Sequence, residues 1–298
     1  MRAVVTGGAG FIGSHVVEAL LGRGDEVHVI DNLATGRREN LAADATLHEQ
    51  DIRDDLRSLF GEIRPERVVH LAAQADVGTS VERPAFDAQV NVLGTLNVLE
   101  AARLHDANLV FSSTGGAIYG ECAEPATEKA ERRPLSPYGT SKLAGEEYLA
   151  TWNRLHGTGH VALRFGNVYG PRQLAKLEGG VVAIFLDRLR AGEPATIFGD
   201  GEQERDFVFV GDVVAAVLAA QVGAAGTYNV GTGRATSVNE LWRTCARVAG
   251  SGGEPEHRDA RAGELQRSVL DPGRARDALG WEAQTSLEDG LRQTWESG

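Results

Sequence analysis

The sequence predicts an α/β fold, a doubly wound parallel sheet with helices on both faces joined to a smaller α/β unit. Three observations carry this. Over the first 170 residues short apolar runs alternate with longer amphipathic segments, the order expected when helical crossovers connect parallel strands. The runs are apolar throughout rather than at every second position, as in strands buried on both faces. A glycine-rich stretch follows the first run at once.

The predicted strands are Ala3 to Val5, Glu26 to Ile30, Thr46 to Glu49, Val68 to Leu71, Asn108 to Ser112 and His160 to Arg164. Between them, Val16, Val17, Leu20 and Leu21 recur at helical spacing within Phe11 to Leu21, and Val92, Leu93, Leu96, Val98 and Leu99 do so within Val90 to Ala102, which predicts two crossover helices. After Gly170 glycines at 179, 180, 192, 199 and 201 break the pattern into shorter elements. Residues 1–170 therefore form the predicted dinucleotide-binding domain, with 213–232 rejoining it as a helix and a strand. Residues 171–212 and 233–298 form the predicted substrate domain.

Composition narrows the function. A formal net charge of -12 and a pI near 5.2 argue against nucleic acid or an anionic membrane surface as partner, because both favour a basic face. Cys122 and Cys245 have no metal-type spacing around them and suggest neither a disulfide framework nor a metal site, so a reducing cytoplasm is expected. The N-terminal apolar run is too short for a signal peptide. The best later run, Val213 to Ala220, falls well short of the roughly 20 residues that span a bilayer.

Thr6-Gly7-Gly8-Ala9-Gly10-Phe11-Ile12-Gly13 closes the first strand and opens the first helix, the context in which such glycines cradle a dinucleotide. Gly7 permits a tight turn, Gly10 lets the backbone approach a diphosphate, and Gly13 lets helix and strand pack closely. The helix N-terminus offers N–H groups to the anion. Asp31 stands at the end of the second strand, where a carboxylate accepts from a ribose and repels a 2′-phosphate. The expected cofactor of this Rossmann-type unit is NAD.

Tyr138 and Lys142 are four residues apart on a predicted helix, so they share a face. An ammonium favours the phenolate and is expected to lower the Tyr138 pKa, making it a general base. The pair alone is no more than a common arrangement on a solvated helix. It gains weight from the glycine turn upstream and from Phe111-Ser112-Ser113-Thr114 at the end of the fifth strand, where open α/β sheets hold their ligands. His70, inside an apolar strand, reads as a packed core residue.

With these stretches, and with Asp31-Asn32-Leu33, Asp51-Ile52, His70 to Gln74, Asn91 to Thr95, Arg164 to Gly170 and Arg205-Asp206-Phe207, the chain resembles the extended short-chain dehydrogenase/reductase family, specifically its nucleotide-sugar epimerases of the UDP-glucose 4-epimerase type. The resemblance spans nearly the whole chain. It implies that Asp51 and Ile52 flank adenine, that Leu71, Ala72, Ala73 and Gln74 line the cofactor, and that Phe11, Ile12, Asn32, Gly36, Asn91, Ser112 and Phe165 complete its site. It implies that Lys142 also holds the nicotinamide ribose and that a hydroxyl of Ser113 or Thr114 assists Tyr138. Thr114 is preferred, although Gly115-Gly116 looks like a one-residue insertion against the family spacing to Tyr119-Gly120 and leaves the choice open.

The resemblance also assigns Arg205 and Arg261 to the substrate diphosphate, where a planar guanidinium pairs bidentately with phosphate oxygens. It assigns Asn167 to a hydrogen bond, Glu264 to the uridine ribose and Ser268 to the wall beside the sugar. Related dehydratases carry Asp-Glu after the threonine and decarboxylating relatives keep the Glu; here Gly115, Gly116 and Ala117 stand there. Without a side chain for elimination, the expected reaction is C4 epimerisation of a UDP-sugar, UDP-glucose/UDP-galactose first, through a transient 4-keto sugar. UDP-N-acetylglucosamine or UDP-glucuronate, the latter met by Arg172 or the hydroxyls near Thr114, remain alternatives, as do a net oxidoreductase or dehydratase and a NAD-sensing protein without turnover. A homodimer through the helices near Val90 to Ala102 and Tyr138 to Trp152 is implied.

Overall fold

A computed structural model describes residues 1–175, 180–220, 225–251, 253–260 and 264–298. At its centre lies a seven-stranded sheet built from β1 (Arg2–Thr6), β2 (Glu26–Asp31), β3 (Thr46–Glu49), β4 (Arg67–His70), β5 (Asn108–Thr114), β6 (Val161–Phe165) and the strand Gly226–Val230. All pairings are parallel; Val5 lies opposite both Val29 and Val69, and Asn229 opposite Arg164. Across the sheet the order is Gly226–Val230, β6, β5, β4, β1, β2, β3. The chain winds outward from β1 to β3 and then returns to β4 on the other side. That reversal opens a crevice at the carboxyl ends of β1 and β4.

Successive strand residues feed opposite faces, which is why the runs are apolar throughout. Val4, Val68 and Leu109 pack with Phe60, Leu99 and Leu149. Their neighbours Val5, Val69 and Val110 pack on the other face with Val16, Val17, Leu20 and Val213. Each such side chain contributes roughly 1.5–3 kcal/mol by leaving water, so both helical layers are bound to the sheet by burial. A third cluster gathers Phe185, Leu186, Ile197, Phe207, Trp242 and Leu291. Around it run strands of two or three residues: Asn167–Tyr169 with Phe207–Phe209, Thr196–Phe198 with Glu256–Arg258, and Glu204–Arg205 between Thr236–Ser237 and Arg267–Ser268. None of these is long enough to show a period in sequence.

Two helices differ from expectation in ways that bear on function. The segment predicted as one helix over Val90 to Ala102 begins as a π-helical turn, Gln89–Gly94, before the regular helix Thr95–Arg103. The wider turn absorbs an extra residue and sets Asn91, buried, against the Gln74 turn. The helix Pro137–His156 starts abruptly, because Ser136 accepts from the Gly139 N–H at 3.2 Å and Pro137 occupies its first turn. Gly157, at φ 65°, ends it. Tyr138, Lys142 and Glu146 thus fall on one face of its N-terminal half. Among the described residues, no helix is long and apolar enough to cross a membrane.

Candidate active site

The glycine turn is shaped so that only glycine fits. Gly7 adopts φ +71°, and a Cβ there would lie 2.6 Å from the Ala72 nitrogen. A Cβ on Gly13 would lie 2.1 Å from the Gly7 carbonyl oxygen, and one on Gly10 3.3 Å from the same atom. The helix Phe11–Gly22 opens with no side-chain cap and no acidic residue in its first turn. Phe11 and Ile12 therefore present backbone N–H groups and partial positive charge to the crevice, as a diphosphate requires. Gly13→Ala forces the turn open, and overpacking of this kind costs about 1–3 kcal/mol. NAD binding measured by calorimetry is expected to weaken on the order of tenfold or more.

Asp31 organises the same turn. One carboxylate oxygen accepts from the Ala9 N–H at 3.0 Å and the other from the Leu33 N–H at 2.8 Å. Burial raises its pKa, and those two N–H bonds oppose the rise. An ionised carboxylate has about four acceptor sites, so two remain for ribose hydroxyls. A Cβ on Gly36 would meet both Asp31 oxygens at 2.9 Å. Asn32 donates to Asp51 at 2.8 Å, and Arg53 grips Asp51 through two bonds of 2.9 and 2.8 Å, holding its carboxyl far below the usual range. Ile52 is buried beside them. Leu71 and Ala72 hang from Thr6 through bonds of 3.1 and 3.2 Å. Beyond Ala73, Gln74 and Asn91 bind each other in both directions at 2.9 and 2.8 Å. The residues present thus fit a dinucleotide.

At the next strand ends, Thr114 closes β5 opposite Phe165 of β6. Tyr138 is half-buried, and the Thr114 hydroxyl acts on its phenol to lower the pKa. Ser113 is not brought to Tyr138. Its Oγ donates to Glu146 at 2.5 Å, because alternate strand residues point to opposite sides. Lys142 is buried and donates to the Ser112 carbonyl at 2.8 Å, with the Phe111 ring centre 4.9 Å away. Burial lowers its pKa to about 8, opposed by Asp87 and Glu146.

The expectation that Lys142 draws the Tyr138 phenol down needs correction. Burial, reinforced by the Asp87 carboxylate, pushes Tyr138 up to about 12, and only the Thr114 hydrogen bond pulls the other way. His70 bonds Thr6 and Thr95 at 2.7 and 3.0 Å, and burial drives it down to about 3, so it stays a neutral core residue.

Beside Thr114, a Cβ on Gly116 would meet Asn167 Oδ1 at 3.6 Å, Thr114 Oγ1 at 3.9 Å and Ser268 Oγ at 4.0 Å. Three oxygens therefore converge on the point where a side chain at Gly116 would begin. Arg205 and Glu264 form a 3.5 Å ion pair, with burial lowering the Arg205 pKa and Glu264 opposing it. Arg261 lies outside the described residues. Arg172 is engaged by Glu18 at 2.5 Å.

Several groups escaped the sequence reading. Glu146 takes two guanidinium bonds from Arg164, at 2.9 and 2.5 Å, with both side chains only 3% exposed. Arg164 continues to the Tyr119 hydroxyl at 2.6 Å, which donates to Asn229 at 2.7 Å. Glu146 was legible in principle, one turn beyond Lys142 on the same face. Asp206 accepts from Thr232, Gly233 and Leu270 and so ties the loops around Ser268. Asp87 had no signal at all.

Set against known proteins, residues 3–231 match the family described as NAD dependent epimerase/dehydratase. A putative UDP-glucose 4-epimerase of Methanocaldococcus jannaschii is 45% identical over 97% of this chain and 96% of its own length. A Thermotoga maritima UDP-glucose 4-epimerase crystallised with UDP-glucose superposes with a TM-score of 0.98 at 46% identity, over 100% of this chain and 98% of that one. The Thermus thermophilus UDP-glucose 4-epimerase in complex with NAD gives 0.94 at 47% identity, again over 100% and 98%.

Proposed function

The chain belongs to the NAD dependent epimerase/dehydratase family, and on that premise we propose that it interconverts UDP-glucose and UDP-galactose by inverting C4 of the hexose. The observation that carries this reading is the convergence of Tyr138 and Lys142, on one face of the Pro137–His156 helix, with Thr114 at the end of β5, whose hydroxyl lowers the Tyr138 pKa. The helix offers a proton-accepting phenol, and Gly115-Gly116-Ala117 after Thr114 offer no carboxylate for elimination.

Tyr138, as phenolate, accepts the proton of the sugar 4-hydroxyl and later returns it, while Thr114 bonds the same oxygens and keeps the proton path short. The glycine turn and Asp31 would hold NAD, which would supply a reversible hydride acceptor. Lys142 contributes a positive charge and holds the ribose. Gly116 leaves room for the sugar to present either face, bounded by Asn167 and Ser268. Arg205, Arg261 and Glu264 hold the nucleotide, the arginines on the diphosphate and Glu264 on the ribose. Residues 1–170 with 213–232 bind NAD in this reading, and the remaining segments hold the nucleotide sugar.

A second substrate, UDP-N-acetylglucosamine, is favoured by one observation: Ser268, small and buried, bounds the sugar space. The test for both is incubation of the purified protein with UDP-glucose, UDP-N-acetylglucosamine and, as a third arm, UDP-glucuronate, without added reductant. The expected result is the C4 epimer by proton NMR with no accumulation of NADH. No epimer from any of the three, or NADH produced in step with substrate, overturns the reading.

A homodimer accompanies this proposal. Leu93 lies exposed in the π-helical turn, Val77 and Val81 on the short helix Val77–Glu82, and Tyr148 on the Pro137–His156 helix, so a second copy covering these faces would bury them. A cytoplasmic location is supported by two free cysteines.

A further inference from the structure

One buried carboxylate at the cleft is not used by the chemistry at Tyr138. Asp87, in the short helix Pro84–Ala88, is fully buried. Its Oδ1 accepts from Gln74 Nε2 at 3.0 Å and Asn91 Nδ2 at 2.9 Å, and its Oδ2 accepts from Ser141 Oγ at 2.6 Å. The three donors come from separate parts of the chain. Ser141 stands between Tyr138 and Lys142 on the Pro137–His156 helix, Gln74 follows β4, and Asn91 sits in the π-helical turn. An ionised carboxylate offers acceptors only, and an unpaired one at this depth is strongly disfavoured, so the three bonds and the charge stand or fall together.

We propose that Asp87 is a positioning residue for the reaction, its carboxylate locking the helix that carries Tyr138 and Lys142 against the Gln74 turn and Asn91 that line the cofactor cleft. The inference rests on the epimerase reading. Its charge acts on the same two groups. From the Pro137–His156 helix, Tyr138 and Lys142 face it, with Glu146 one turn further. From the Gln74 turn comes Asp76, whose carbonyl accepts from Gln74 at 2.9 Å. From its own helix start comes Arg83, whose guanidinium stacks 4.5 Å over the Phe86 ring. On β4, His70 is neutral and lies near Lys142. Asp87 favours the Lys142 ammonium against burial and disfavours the Tyr138 phenolate.

Neutralising Asp87 therefore lowers both pKa values. The two limbs of the kcat profile, which belong to the Tyr138–Lys142 pair together, move toward acid. A contribution through packing alone lowers the profile without moving it.

The test is Asp87→Asn in the full-length, NAD-loaded protein. The amide oxygen keeps the bonds from Gln74 and Asn91, and the amide nitrogen donates to the Ser141 hydroxyl, which can accept. Both limbs are expected to move about one pH unit toward acid, with kcat on the alkaline side down about tenfold. Independently of turnover, 13C NMR of Lys142 Cε, one of three lysines in the chain, is expected to titrate about one pH unit lower in Asp87→Asn than in the wild type.

Ser141→Ala keeps the charge and removes one bond, so kcat falls several-fold while the limbs stay in place. Unmoved limbs and an unmoved Lys142 titration in Asp87→Asn overturn the proposal. If Asp87→Asn does not fold, Ser141→Ala decides, and a kcat within about twofold of wild type overturns it. A wild-type protein without epimerase activity overturns the functional reading instead, and the Lys142 titration then decides Asp87 alone.

Discussion

Tyr138→Phe is expected to lower kcat about 10³-fold, within the range that general acid–base groups contribute, while the NAD dissociation constant changes by less than about threefold. The substitution removes one oxygen and leaves the ring in place, so the glycine cradle and Asp31 are untouched. The size of the effect follows from the state of the phenol. At a pKa of about 12, ionising Tyr138 at pH 7 costs about 7 kcal/mol, at about 1.4 kcal/mol per pH unit. One positive charge about 4 Å away recovers about 4 kcal/mol at an effective dielectric of 20.

The Lys142 ammonium, 6.0 Å from the Tyr138 ring centre, is already present at that pKa, so the further positive charge is the one the oxidised nicotinamide would add. A rise of kcat with pH that disappears in Tyr138→Phe identifies the phenol as the titrating base. Equal kcat in the two proteins removes Tyr138 from the chemistry.

The largest expected effect on stability lies beneath the site. Glu146→Ala or Arg164→Ala leaves one charge buried without its partner, and breaking a buried pair in this way costs about 3–5 kcal/mol. For a chain of this length that lowers Tm on the order of 10 °C, read by calorimetry. Arg164→Ala also takes the donor from Tyr119 and, through it, loosens Asn229, so it is expected to be the worse of the two. Glu146→Leu combined with Arg164→Met is expected to be less destabilising than either single change, because no charge is left unpaired. A double variant as unstable as the sum of the two singles would show that the pair acts independently of its charges. Glu146 also supports the Lys142 ammonium, so a loss of activity on the alkaline side accompanies its removal.

Much of this was legible in the residues. The glycine turn is a local device. The short path from β1 into a helix demands glycine locally at Gly10 and Gly13, whose Cβ atoms would meet the Gly7 carbonyl, and at Gly7 by its φ of +71°, and Asp31 follows at the end of the next strand. The Tyr138–Lys142 relation is likewise local, since the helical repeat puts residues four apart on one face. The parallel sheet was visible because strands buried on both faces must be apolar without alternation, and each such run is long enough to read. The two- and three-residue strands around Ser268 and Arg205 were not, because they contain less than one full period and owe their pairing to the packing of distant segments.

What the sequence determined by itself, then, is a doubly wound sheet with a dinucleotide cradle at its first turn and a phenol and ammonium in register on a later helix. Only the tertiary structure decided which of two adjacent hydroxyls meets Tyr138. Ser113 and Thr114 point to opposite sides of β5, and the packing of the Pro137–His156 helix sends one to Glu146 and the other to the crevice. Only it brought Asp87 under Ser141, through a π-helical turn that the heptad-like spacing of valines and leucines concealed. It also reversed the expected direction of the Tyr138 pKa, because desolvation depends on what covers a group in space, and no neighbour in the chain reveals that.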